Sequence, residues 1–243
     1  MLLRPFSFAA LQRALLEGWR TANATRGISI GYSLIFVLAG GLIIGGLLRQ
    51  GWTPFIIAAA GAFMLIGPAI LAGFFGIAQA HDAGERPGPR SIMRGFSQAA
   101  GALWALALVC GLLFMIFVTD AAILYAYMLG DVPIWLGDVL PGSGGVARFV
   151  VWSAVSGAVV AFLLFCVSVF AVPLLCERRA GLVEAVVSSV RAVFGNFVPA
   201  IAWAVLLSSL VIGSVFLLPL LPLTLPWMAY ASRALYREVL PNA

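Results

Sequence analysis

An acidic side chain inside hydrocarbon costs a few kcal/mol, so Asp120, the carboxylate within reach of the long apolar stretches of this chain, is the first residue to consider for proton or ligand chemistry. Its depth argues otherwise. If the stretch that carries it starts at Ala99 or Ala100, roughly twenty residues of helix rise through about 30 Å and bring Asp120 to the far interface, where water solvates it. The interfacial position is therefore preferred to a buried proton or ligand site. His81, with Asp82 and Glu85 close by, has the atoms to hold a metal or to sense pH, but one imidazole in a Gly/Pro-rich loop supplies too few ligands for a specific site. Trp135 stands between Asp131 and Asp138 in the longest connection, 130–147. That pattern fits an interfacial loop anchored by an aromatic ring, or else a docking surface or lid over the centre of the molecule. Cys110, Cys166 and Cys176 are odd in number and widely spaced, which indicates small apolar packing groups rather than disulfides or a thiolate metal site.

Three prolines complete the candidate positions. Pro68, Pro173 and Pro226 each sit inside an apolar stretch, in Gly67-Pro68-Ala69-Ile70, Val172-Pro173-Leu174-Leu175 and Leu225-Pro226-Trp227-Met228. A proline kink survives in lipid where packed neighbours or hydroxyls satisfy the freed carbonyl, so these prolines are expected to face protein. No phosphate-cradling glycine loop, nucleophile elbow, zinc-binding histidine pair or paired carboxylate is present. Catalysis is not expected, nor is any cofactor. Haem–copper chemistry in particular needs several intramembrane histidines, and the chain has only His81.

These residues are carried by a chain that is 63% hydrophobic and 9% charged over 243 residues, with mean hydropathy +1.10. Such a composition excludes a soluble core and leaves one integral membrane domain, 1–243. The fold expected is all-α, a polytopic transmembrane bundle. Four apolar stretches are long enough to cross about 30 Å of hydrocarbon: Ile28–Leu48, Pro54–Ala78, Ala99–Asp120 or slightly beyond, and Phe149–Cys176. The last, Phe197–Ser232, is too long for one crossing and is divided near Gly213–Ser214 into Phe197–Ile212 and Val215–Ala231. With six crossings, Arg4, Arg13, Arg20, Arg26, Arg86, Arg90, Arg94, Arg178, Arg179, Arg191, Arg233 and Arg237 share one face, and only Arg49 and Arg148 lie opposite. The positive-inside rule then puts both termini in the cytoplasm, and the arginine-only basicity suits a bacterial inner membrane. The arginines are dispersed, which argues against nucleic acid as a partner.

A short amphipathic segment precedes each odd-numbered crossing and is expected to lie flat on the cytoplasmic surface. In Ser7–Ala22, Phe8, Leu11, Leu15 and Trp19 share one helical face, with Arg13, Glu17 and Arg20 on the other. In Leu182–Phe194 the apolar stripe is Val183, Val187, Val190 and Phe194, opposite Glu184, Ser188 and Arg191, and Asn196 and Pro199 start the next helix. In Pro89–Gln98, Arg90, Arg94 and Ser97 oppose Ile92, Met93 and Phe96. The unit of surface helix, crossing and kinked crossing repeats over about 5–80, 88–176 and 180–234, which suggests a pseudo-threefold axis along the membrane normal. Gly27/Gly31 and Gly41/Gly45 add a small-residue seam to the first crossing.

Gly18-Trp19, Gly67-Pro68, Val172-Pro173-Leu174-Leu175, Ser189-Val190-Arg191-Ala192-Val193 and the closing Trp227–Tyr236 together resemble the bacterial predicted integral membrane proteins called domain of unknown function 2189. The resemblance rests on hydrophobic pattern and implies a fold but no mechanism. The function expected is that of a non-catalytic accessory or scaffold subunit of a membrane complex, a respiratory one among the candidates, with the lipid bilayer and other membrane subunits as partners. The alternative is a transporter or channel-like protein for a small neutral or apolar solute or a lipid.

Overall fold

A computed structural model of the chain describes residues 6–49, 55–98, 100–129, 144–216 and 220–241, and every regular element among them is a helix. In chain order these are α1 (Phe8–Ala24), α2 (Arg26–Arg49), α3 (Phe55–Asp82), α4 (Pro89–Gln98), α5 (Ala100–Leu129), α6 (Gly144–Ser168), α7 (Ala171–Cys176), α8 (Leu182–Gly195), α9 (Phe197–Phe216) and α10 (Leu221–Val239). Among the described residues, three helical stretches are long and apolar enough to cross a membrane: Arg26–Ile43, Gly101–Leu124 and Ala154–Cys176. A fourth is reached only if α8 and α9, bent by 106° at their junction, count as one broken span.

The last apolar run departs from the sequence expectation. Helix α9 continues through Gly213 and Ser214 to Phe216, and α10 starts at Leu221 with Pro222 in its first turn. A lone glycine costs a helix only about 1 kcal/mol relative to alanine, whereas Pro219 and Pro222 each lack the N–H that a continuing helix needs. The turn expected at Gly213–Ser214 therefore lies inside α9. Two other boundaries also shift: α3 runs on to Asp82, and α5 continues nine residues past Asp120, to Leu129. The expected crossing Phe149–Cys176 is interrupted at Val169–Phe170. Pro173 explains the position, because it has no N–H for the carbonyl four residues earlier. The interruption is bridged from α8: Ser189 Oγ accepts from Phe170 N at 3.2 Å and donates to the Cys166 carbonyl at 2.7 Å.

The short helices pack differently from the expected stripes. In α1 the buried residues are Ala10, Leu11, Ala14 and Gly18, in α4 Ser91 and Gly95, and in α8 Ala185, Ser188, Ser189, Ala192 and Val193. The bulky residues Phe8, Trp19, Met93, Phe96, Val183, Val187 and Phe194 are exposed. Small residues win the inner face because they allow backbones to approach closely. A Cβ at Gly95 would overlap the Ala72 carbonyl and the Gly76 backbone of α3, and one at Gly18 would overlap Ala231 of α10. Each short helix thus presents a small packed face, a bulky apolar exposed face and a charged edge.

The helix junctions are polar and internally satisfied. At the α1–α2 break, Thr25 Oγ1 donates to the Thr21 carbonyl at 2.8 Å, and Tyr230 of α10 bonds to Ser29 at 2.6 Å. At the α8–α9 break, Asn196 Nδ2 donates to the Ala192 carbonyl at 3.0 Å while its Oδ1 accepts from Phe6 N at 3.0 Å. Asn196 thereby occupies a carbonyl whose own N–H has shifted to Val193, whereas Thr25 adds a hydroxyl bond to a Thr21 carbonyl that already accepts the Thr25 N–H. The larger apolar core joins Leu103, Leu106, Phe170, Leu174, Trp203 and Leu235, and the smaller one Tyr32, Phe74, Ile77 and Tyr230. Both lie toward the end where α1, α4 and α8 sit and most of the arginines collect.

Candidate functional site

At that arginine-rich end, α3 and α7 stop in the same way. After α3, Glu85 N bonds to the Ala80 carbonyl at 2.9 Å and Gly84 N to His81 at 3.0 Å, with Gly84 at φ 72°. After α7, Arg179 N bonds to the Leu174 carbonyl at 3.0 Å and Arg178 N to Leu175 at 3.2 Å, with Arg178 at φ 53°. Both are Schellman caps, whose left-handed position glycine occupies without strain. Arg178 accepts the strain, and its guanidinium donates to the carbonyls of Gln98 and of Ser97, the latter at 3.1 Å, where α4 gives way to α5. The side chain thereby ties α7 to α4 and neutralises the negative end of α4.

Two acids sit beside these caps. Asp82 ends α3 and Glu177 caps α7, and α10 meets both with Arg233 and Arg237, four residues apart and so on one helix face. Arg233 donates to Asp82 at 2.8 Å and to Glu177 at 3.3 Å; Arg237 reaches Asp82 at 2.9 Å and Glu177 at 3.5 Å; Arg179 meets Glu177 at 3.0 Å. The Arg233 and Glu177 side chains are each only 6% exposed. A buried charge of this kind persists only when opposite charges desolvate with it. Burial alone would raise the Asp82 carboxyl, but hydrogen bonds and charge from Arg233 and Arg237 outweigh it and hold the group below its usual 3.8. Asp82 thus stays ionised at neutral pH, and its stabilising contribution is lost only as pH falls through that depressed range. Arg179 lies over the Tyr236 ring at 6.0 Å, and the Tyr236 phenol is pushed up to about 12, first by burial and then by the Glu177 charge. It is therefore a neutral hydroxyl.

A cavity of about 380 Å³ adjoins the cluster, lined by Gln79, Gln98, Cys176, Glu177, Arg178, Arg179 and Arg237. It is a polar pocket with three guanidiniums and one carboxylate. Among the described residues, no group of three His, Cys, Asp or Glu side chains is placed to hold a metal ion.

The residues singled out from sequence lie elsewhere. Asp120 is partly buried in α5, far along the helix from this end. Pro68, Pro173 and Pro226 are all buried, in α3, α7 and α10. His81 is exposed beside the cluster and makes no ion pair with it. The three cysteines are buried and unpaired. Asp131, Trp135 and Asp138 fall outside the described residues. Glu177, Arg233 and Arg237 were not legible as a site, because they join residues 56 to 155 positions apart with no local motif. The available signal was the i, i+4 arginine pair at the end of an apolar run, which sequence alone assigns to topology.

The segment from the start of α3 to the Glu177 cap is also the part of the chain that known proteins share. A family model described as predicted integral membrane protein, domain of unknown function 2189, matches residues 56–177. The chain belongs to this family. The matched half takes in Gly67-Pro68, Val172–Leu175 and both acids of the cluster, Asp82 and Glu177, but excludes Gly18-Trp19, Ser189–Val193 and Trp227–Tyr236, so the family match is narrower than the near-whole-chain resemblance. The arginines that meet those acids, Arg179 just after α7 and Arg233 and Arg237 in α10, lie beyond the matched residues. No curated protein and no solved structure matches this family member. It is an integral, multi-pass membrane protein, and its solvent is the lipid bilayer.

Proposed function

We propose that this chain is a non-catalytic accessory or scaffold subunit of a membrane protein complex in a bacterial inner membrane. In this reading it crosses six times as three units, 5–80, 88–176 and 180–234, with α1, α4 and α8 on the cytoplasmic surface and both termini on that side. The order of a short helix followed by two longer helical segments, three times over, supports the units. The 106° bend between α8 and α9 supports a surface helix leading into a crossing. The exposed apolar faces of the short helices need an apolar environment at the interface, which the bilayer supplies.

One observation carries the scaffold reading. The second membrane segment of each unit meets the others through ion pairs, Asp82 from the first, Glu177 from the second, and Arg233 and Arg237 from the third. Charges used in this way fix one assembly of helices rather than perform chemistry. Meanwhile broad apolar surfaces remain on α5 and α6, at Trp104, Leu108, Leu112 and Met115 and at Trp152, Val155 and Val159. A Cβ placed at Gly27, Gly31, Gly41 or Gly45 of α2 would likewise meet no other described group within 4 Å. A small-residue face of this kind suits close packing by a partner helix. Extraction of native membranes in mild detergent tests the reading: one stoichiometric larger assembly is expected. A chain recovered alone that moves a neutral solute into liposomes would replace it with transport.

A further inference from the structure

We propose that the cavity between α4, α7 and α10 is a binding site for a phosphate group. Arg178, Arg179 and Arg237 line it with Gln79 and Gln98, against the single carboxylate of Glu177. That carboxylate is already engaged by Arg179, Arg233 and Arg237. With the Asp82 contacts of Arg233 and Arg237 included, four guanidiniums stand against two carboxylates, so positive charge is in excess beside the cavity, and guanidinium forks with carboxamide donors match the geometry of a phosphate's oxygens.

The backbone supplies a second argument. The equivalent cap after α3 uses Gly84 at its left-handed position, whereas the cap after α7 places Arg178 there. That arrangement holds the guanidinium against the Ser97 and Gln98 carbonyls and cancels the negative helix end that would otherwise repel an anion. The cavity sits level with the α4–α5 junction. If α4 lies on the membrane surface this is headgroup depth, where basic pockets between helices take anionic lipid phosphates. The depth argument rests on the proposed six-crossing arrangement; recognition of phosphate does not.

The test uses the full-length protein in nanodiscs of phosphatidylcholine with and without phosphatidylglycerol, and separately with inorganic phosphate. A rise in Tm of about 3 °C with phosphate-bearing anions is expected for the native chain. Gln98→Glu, which adds a negative charge while removing no arginine, and Arg179→Gln should both abolish the rise. Arg191→Gln, on the exposed edge of α8, should keep it. A rise with phosphatidylglycerol alone assigns the site to a lipid headgroup, and one reproduced by inorganic phosphate assigns it to a soluble phosphate compound. Absence of any rise, or a full rise in Gln98→Glu, overturns the proposal. Phosphate binding by a chain that purifies alone would keep this site while refuting the accessory role.

Discussion

Arg233 brings a full positive charge to a site with 6% side-chain exposure, and two carboxylates from different helices meet it there. Removing one partner of such a group is costlier than the pair's net value, because the opposite charges remain desolvated. Arg233→Met is therefore expected to destabilise the protein by about 3 kcal/mol in denaturant unfolding in detergent. The double variant with Glu177→Gln should recover part of that loss; equal losses in both would show that the Glu177 contact contributes nothing. Arg178 offers a cleaner separation of backbone from side chain. Alanine there loses the links to Ser97 and Gln98 and keeps the left-handed strain, while glycine loses the links and relieves it. Arg178→Gly should be about 1 kcal/mol more stable than Arg178→Ala. Equal stabilities would mean that the backbone at this cap is not strained.

Helix-scale features were the more legible in the sequence. Apolar length located α2, α3, α5 and α6, and Asn196 marked the start of α9, because both signals are local. The packed faces of the short helices were not legible from bulk hydrophobicity. Ala10, Ala14 and Gly18, or Ser91 and Gly95, look neutral in an apolar stripe, yet they form the inner face because α1 crosses α10 and α4 crosses α3 at backbone contact. The turn expected at Gly213–Ser214 failed for a related reason: flexibility at one glycine does not end a helix that proline two turns later must end. The crossing of α3 with α4 is open to a direct check. Gly95→Leu leaves no room against Ala72 and Gly76, so α4 should separate from α3 and its amides should exchange at least about tenfold faster, an opening cost of about 1.4 kcal/mol. Unchanged exchange in α4 would refute the close crossing.

On the scale of the molecule, burial and charge collect together. The arginines of α1, α4, α8 and α10, the Asp82–Glu177 cluster and both apolar cores occupy one end, whereas Arg49 closes α2 and Arg148 lies near the start of α6 at the other. In the membrane this asymmetry sets orientation, because arginine in short loops resists translocation. It also explains why the site was not visible beforehand: the arginines that sequence assigns to topology are the same ones that pair with acids on distant helices, and only the three-dimensional arrangement separates the two roles. The ion-pair cluster has a further consequence for topology, since Asp82, Glu177 and Arg233 can meet only if the ends of α3, α7 and α10 share one side. Reporter fusions within the 83–88 loop, after Glu177 and after Ala243 measure this most directly. The account predicts that all three report the cytoplasm; a C-terminal fusion reporting the opposite side from the 83–88 loop would contradict it.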